Sequence, residues 1–154
     1  MPVAAIGIGS NEGDAAAHVR RAFDRLTELG TILARSPLYQ TAPWGVTGQP
    51  PFVNAAATLE TTLSPRDLLT ALKRIETEEG RIPTYRWGPR SLDLDILTYA
   101  DQRIDDPDLV VPHARLHERA FALIPLAAID PRYADLRDAL PPGERASVVE
   151  LTPQ

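Results

Sequence analysis

Arg86-Trp-Gly-Pro-Arg-Ser-Leu-Asp-Leu-Asp-Ile-Leu97 is the stretch from which the rest of the chain is read. From Leu92 onward apolar and acidic residues alternate, and a strand's period of two sends Leu92, Leu94 and Ile96 to one face and Asp93 and Asp95 to the other. At about 3.3 Å per residue the two aspartate Cα atoms lie about 7 Å apart. Two ionised carboxylates at that separation repel by about 2 kcal/mol at an effective dielectric near 20. Aspartate also disfavours strands. A bound cation relieves the repulsion, and a pair of hard oxygen donors suits Mg²⁺, which is usually held by one or two carboxylates together with substrate phosphates. An ordinary edge strand with a solvated polar face would show the same Asp-Leu-Asp pattern. The residues before it argue otherwise: Arg81, Arg86 and Arg90 follow one another with no acid between Gly80 and Arg90, and their planar donors match phosphate oxygens.

Composition bounds the possibilities. A chain of 154 residues fits one domain, expected over 1–154, and 44% hydrophobic with 24% charged residues reads as globular. Without cysteine, neither a disulfide framework nor a thiolate metal site is available. The first residues lack a basic segment followed by a long apolar core, and no run reaches the ~18 apolar residues of a membrane span, so a cytoplasmic protein is expected. A net charge of −5 argues against non-specific nucleic-acid binding. Cations gather between Lys73 and Arg90 and between His113 and Arg119, which suits a small polyanion such as a nucleotide.

Val3 to Gly9 reads as a buried strand ending in Gly-Ser-Asn. Its Gly7-Ile-Gly9 pair invites a dinucleotide-binding reading, but the third glycine of that fingerprint would fall on Glu12, an acid where pyrophosphate would approach. Asp14 is placed to cap a helix with Val19, Ala22, Phe23, Leu26 and Leu29 on one face, closed by Gly30, and with His18, Arg20, Arg21 and Arg25 solvated. Thr31 to Thr41 is extended, with Pro37 marking an edge or bulge. Ala42 to Pro51 is a loop carrying Trp44, and Phe52 to Thr61 alternates again, placing Phe52 and Asn54 together on the face opposite Val53, Ala55, Ala57 and Leu59. There Asn54 could read the edge of a planar ring while Phe52 stacks on it.

Ser64-Pro-Arg-Asp67 opens a second helix with Leu68, Leu69, Leu72 and Ile75 as its apolar stripe. Glu76, Glu78 and Glu79 come late in it, where the macrodipole disfavours acids; Glu76, next to the stripe, could orient a donor in the site. After the Asp93/Asp95 strand, short extended pieces are expected at Ile104 and at Leu109 to Val111. An apolar helical segment then runs from Glu118 to Ile129, which Pro125 should interrupt. His113 and His117 have a zinc-like spacing that Pro112 and Arg115 weaken; His113 and Arg119 are better read as phosphate neighbours. Pro141-Pro-Gly reads as a loop, and Ser147 to Leu151 as a short strand or helix.

Strand, helix, strand, strand, helix, strand is two split βαβ units, and right-handed crossovers put both helices on one face. The expected fold is therefore an α+β, ferredoxin-like βαββαβ sandwich with a C-terminal helical extension. The opposite face is left for ligand.

With these residues in place, the chain resembles the 6-hydroxymethyl-7,8-dihydropterin pyrophosphokinase family. The likeness runs from Gly-Ser-Asn to about Pro131 and rests on Arg86-Trp-Gly-Pro-Arg-x-Leu-Asp-Leu-Asp, the Ala-Pro-Trp-Gly loop, Phe52-Val-Asn54, Arg74-Ile-Glu76 and Val111-Pro-His113. The resemblance implies pyrophosphoryl transfer from ATP, the co-substrate, to a hydroxymethyl pterin in folate synthesis, with two Mg²⁺ ions on Asp93 and Asp95. It implies catalytic roles for Arg81, Arg90, Asp93 and Asp95. The nucleotide would meet Leu69, Lys73, Glu76, Arg81, Arg86, Trp87, Arg90, Ile96, His113 and Arg119. The pterin would lie between Phe52 and Phe121 and meet Thr41, Pro43, Trp44, Gly45, Asn54 and Asp93, with no nucleic-acid or membrane partner and a monomeric state. Pro83, Val110 and Lys73 depart from the family pattern and bear on the number of phosphate contacts. A sugar-nucleotide transferase with an Asp-x-Asp motif would need a larger nucleotide domain, and a ferredoxin-like small-molecule-binding module would leave the aspartates and arginines without a purpose.

Overall fold

A strand covered on both faces needs small or apolar residues at nearly every position, and Val-Ala-Ala-Ile-Gly-Ile-Gly-Ser at Val3–Ser10 (β1) meets that requirement, with only Val3 and Gly7 short of full burial. The structure, a computed structural model, describes residues 1–41, 51–79 and 92–151. β1 lies between Phe52–Glu60 (β4) and Asp93–Tyr99 (β5), antiparallel to both. The far edge of β4 carries Thr31–Arg35 (β2) and Tyr39–Thr41 (β3), also antiparallel. Between them, where Pro37 has no N–H to give a ladder, Ser36 takes over: its N–H donates to Ala56 O (2.9 Å) and its hydroxyl accepts from Ala56 N (2.8 Å). The bulge expected at Pro37 is thus present, and it divides one extended segment into two strands.

Ala15–Leu26 (α1) and Pro65–Glu78 (α2) cover one face. Asp14 accepts from Ala17 N at 3.1 Å and Ser64 from Asp67 N at 3.1 Å, so both expected caps are made. Val19, Ala22, Phe23 and Leu26 of α1 and Leu68, Leu72 and Ile75 of α2 are buried against Ile6, Ile8, Ala55, Leu59, Leu94 and Ile96. Arg21 and Arg25 are not simply solvated. Both reach Glu79, the residue ending α2, at 2.7 Å, and Arg25 also reaches Glu78 at 2.5 Å and Glu28 at 2.6 Å. The acids at the end of α2 are thereby offset by cations from α1, which is why the helix tolerates them. Gly30 is required for a different reason from helix closure: a Cβ there would lie 2.1 Å from the Glu60 carbonyl oxygen.

The opposite face is partly covered. Ala120–Ile129 (α3), preceded by a 3₁₀ turn at Leu116–Glu118, buries Leu123 and Leu126 against Ala5, Ala56, Leu97 and Val148. The break expected at Pro125 does not occur. Pro125 is itself buried, and the ~1.5–3 kcal/mol gained per buried leucine on this almost wholly apolar helix outweighs the ~3 kcal/mol cost of an interior proline.

After a second 3₁₀ turn at Pro131–Tyr133 come Ala134–Asp138 (α4) and Pro142–Ala146 (α5). The loop expected at Pro141-Pro-Gly is in fact a helix start, because proline at the first helical position gives up no hydrogen bond. Val148–Glu150 (β8) then pairs with β3, so the C-terminal extension is helical but returns to the sheet as a strand.

The six-stranded sheet runs β5-β1-β4-β3-β8, with β2 also on β4, in a mixed helix and sheet architecture. Ile104–Asp106 (β6) and Leu109–Val111 (β7) form a separate hairpin, tied to α2 by Arg66 with Asp106 (2.6 Å) and Asp108 (3.0 Å). Among the described residues no helix is long and apolar enough to cross a membrane.

Candidate active site

The register of three strands lays out the site. Gly9 lies between Asn54 and Asp93, and Gly7 between Ala56 and Asp95. Strands sit about 4.8 Å apart, so Asn54 and Asp93 stand about 10 Å apart across a strip where β1 presents no side chain. A Cβ on Gly9 would stand 2.9 Å from Asn54 Oδ1, and one on Gly7 3.2 Å from Leu97. The glycines therefore floor a trench, the positional use of glycine in a strand where something approaches the backbone.

A cavity of about 650 Å³ opens over the trench, of the size that takes a small molecule. Among the described residues its walls include Thr41, Phe52, Asn54, Asp93, Asp95, Leu97, His113, Arg115, Glu118, Arg119, Phe121, Glu144 and Ser147. Asn54 is 6% exposed, and its Nδ2 donates to Thr41 Oγ1 at 3.2 Å, which fixes the carboxamide over Gly9. Phe121, in the first turn of α3, is 39% exposed, and the Arg119 guanidinium lies 5.8 Å from its ring centroid.

Asp93 is half-buried and Asp95 exposed. Burial pushes the His113 imidazole below its usual pKa and the Arg119 charge adds to this, while Asp95 acts against both. His113 is thus a neutral donor or acceptor near neutral pH, beside a cation and a carboxylate. Its backbone N–H donates to Leu97 O at 2.9 Å, which fixes it at the outer edge of β5. Among the described residues no three potential ligands cluster for a metal. Two carboxylates on one strand face, with room for an anion above them, fit a hard divalent cation that takes its remaining ligands from phosphate and water.

Thr41, Phe52, Asn54, Asp93, Asp95, His113, Arg119 and Phe121, all singled out from sequence, are brought together here. Leu69, Lys73, Glu76 and Ile96 are on the other side of β5. Ile96 is 4% exposed in the α1/α2 core, and Glu76 is buried, with Lys73 Nζ 3.3 Å from its Oε2. Burial raises the Glu76 carboxyl above its usual pKa, opposed by the Leu94 N–H and by Lys73 and reinforced by Asp93. Pro43, Trp44, Gly45, Pro83, Arg81, Arg86, Trp87 and Arg90, and with them the two loops expected from sequence, lie outside the described residues. His117 is exposed and faces Glu118 at 3.6 Å, so the two imidazoles do not form a helix-borne metal pair.

The sequence reading missed Gly7 and Gly9 as a floor; their period-two spacing, in phase with Asp93 and Asp95 once β1 and β5 pair, was the available signal. It also missed Arg115, Glu118, Glu144 and Ser147 at the rim, for which no local pattern existed.

Residues 5–131 match the sequence model of the family described as 7,8-dihydro-6-hydroxymethylpterin-pyrophosphokinase. A 2-amino-4-hydroxy-6-hydroxymethyldihydropteridine pyrophosphokinase of Pseudomonas aeruginosa is 48% identical over 141 residues, covering 90% of this chain and 83% of the relative. The mitochondrial folate synthesis bifunctional protein of Arabidopsis thaliana is 48% identical over 122 residues, covering 79% of this chain and 22% of its own length. Among solved structures, Plasmodium falciparum HPPK-DHPS superposes with a TM-score of 0.69 at 16% identity, covering 90% of this chain and 43% of that one. The chain thus spans less than half of that longer protein, and the likeness there is one of fold.

Proposed function

The chain belongs to the 7,8-dihydro-6-hydroxymethylpterin-pyrophosphokinase family, and from that premise we propose how its residues divide the work of transferring the pyrophosphoryl group of ATP to the hydroxymethyl oxygen of 6-hydroxymethyl-7,8-dihydropterin, with release of AMP, in folate biosynthesis. The observation that carries the assignment is the placement of Asp93 and Asp95 in one cavity with Phe52, Asn54, His113, Arg119 and Phe121.

The flat pterin takes the glycine-floored trench between Phe52 and Phe121, its polar edge facing the carboxamide of Asn54 and its reactive end toward Asp93. Thr41 orients that carboxamide, and the Pro43, Trp44 and Gly45 loop completes this end. Asp93 and Asp95 would hold the two Mg²⁺ ions, whose chemistry there would be charge neutralisation at the attacking and leaving oxygens. His113 and Arg119 hold phosphate oxygens, and Arg81, Arg86 and Arg90 with Trp87 supply the further cations and cover that the phosphates need. The nucleotide's base end reaches round the outer edge of β5 toward Leu69, Lys73, Glu76 and Ile96. Such a reaction needs alignment and charge neutralisation more than covalent help.

The strand order β5-β1-β4-β3, all antiparallel, with α1 and α2 on one face, supports a ferredoxin-like core for this fold. The same reading takes residues 1–154 as one domain acting as a cytoplasmic monomer. Incubation with MgATP and the hydroxymethyl pterin should release AMP, and Asp95→Ala, at an exposed position that the core does not use, should lower the rate at least ~100-fold while thermal unfolding stays unchanged. Release of ADP, or of no nucleotide product, would overturn the assignment.

A further inference from the structure

We propose that Glu76 is a positioning residue for the Asp93/Asp95 pair, acting through the backbone of the residue between them. The proposal rests on the pyrophosphokinase reading for its consequences, but the contact itself stands apart from it. Among the described residues β5 ends the sheet, so the N–H groups on its outer side have no described strand to bond. An edge strand carrying two adjacent carboxylates would twist or fray where the ladder stops. Leu94, flanked by Asp93 and Asp95, donates its outward N–H to Glu76 Oε2 at 2.7 Å. Three residues on, Leu97 O accepts the His113 N–H at 2.9 Å. The outer edge of β5 is therefore held at Leu94 and at Leu97, once by a carboxylate and once by backbone.

Glu76 is suited to this duty. It is 1% exposed, on the last turns of α2, one helical turn beyond the fully buried Leu72 and next to the fully buried Ile75. Lys73 sits one turn before it at 3.3 Å, on the same oxygen that Leu94 uses. A leucine or methionine would be the ordinary occupant of such a core position. A carboxyl oxygen there stabilises β5 by supplying the acceptor that the sheet cannot. The same contact fixes the rotation of the strand about its axis, and thus the direction in which the two aspartates leave it.

Amide hydrogen exchange of Leu94, read by NMR on the free protein, tests the contact without any substrate, and a Mg²⁺ titration of nucleotide binding tests its consequence. Glu76→Gln keeps an oxygen acceptor and should leave Leu94 protected. Glu76→Leu, which fills the space without an acceptor, should speed Leu94 exchange at least ~10-fold relative to Ile6 and Leu59 in the sheet centre and raise the Mg²⁺ requirement about 10- to 100-fold. Pterin binding should change less than either. Unaltered Leu94 exchange in Glu76→Leu would overturn the proposal even if the enzyme were inactive. Accelerated exchange at Leu94 in Glu76→Leu, together with a wild-type protein that releases no AMP, would leave the positioning contact standing and count against the functional reading instead.

Discussion

Replacing Gly9 by alanine adds one methyl group to the floor of the trench, and its effect can be worked from the structure. The new Cβ would stand 2.9 Å from Asn54 Oδ1, inside the 3.4–4 Å of an ordinary contact. The carboxamide must then retreat by about 0.5 Å or rotate, in either case stretching its 3.2 Å bond to Thr41 Oγ1. A lost hydrogen bond of this kind costs about 0.5–1.5 kcal/mol, and an amide left unsatisfied in a site only 6% exposed costs about 1–3 kcal/mol. At about 1.4 kcal/mol per tenfold change, pterin affinity should fall by about 10-fold or more. In the proposed arrangement the nucleotide does not cross the trench between Asn54 and Asp93, so its affinity in the absence of pterin should move by less than about twofold. Calorimetric titration with the pterin, and separately with a nonhydrolysable ATP analogue, measures both. Wild-type pterin affinity in Gly9→Ala would refute the placement of the ring over β1, and an equal loss for both ligands would refute the division of the cavity into two halves.

Arg25→Ala removes the clamp between α1 and the end of α2 and, with part of the network open to solvent, should cost about 1–2 kcal/mol in urea unfolding, with little effect on substrate affinity. Glu79 makes the same clamp sensitive to acid. Burial lifts its pKa, but the hydrogen bonds from Arg25 and Arg21 outweigh this and leave it below the ordinary 4.5, so the folded chain binds fewer protons than the unfolded one. The stability it contributes is present above that value and is lost as pH falls through the folded pKa; wild type should therefore lose more stability than Glu79→Gln between pH 7 and pH 3.5. Leu126→Ala on α3 should cost about 2–5 kcal/mol by leaving a cavity against the sheet, measured by thermal or urea unfolding.

Much of this was readable from local patterns because the patterns are local. The alternation through Leu92 to Leu97 set the face of each aspartate, and Asp14 and Ser64 marked their helices because an N-cap is settled within three residues. Asn54 and Phe52 were placed on one face by the period of two alone. Other features depend on residues far apart in sequence. Gly30 is needed because Glu60 approaches it, Arg25 because Glu79 lies 54 residues on, and Gly9 because Asn54 and Asp93 flank it across the sheet. Pro125 misled because its local cost is real but smaller than what α3 gains by burying Leu123 and Leu126. At β8 the reading stopped at a short strand or helix over Ser147 to Leu151, because a three-residue edge strand has too few positions to show a period.

Crystals grown with Mg²⁺, a nonhydrolysable ATP analogue and the hydroxymethyl pterin would bear most directly on the claim that Asp93 and Asp95 anchor the metal-bound triphosphate. Oxygens of both side chains are expected within about 2.0–2.1 Å of Mg²⁺ that also binds phosphate oxygens. Metal bound elsewhere on the triphosphate, with the two carboxylates facing solvent, would contradict it.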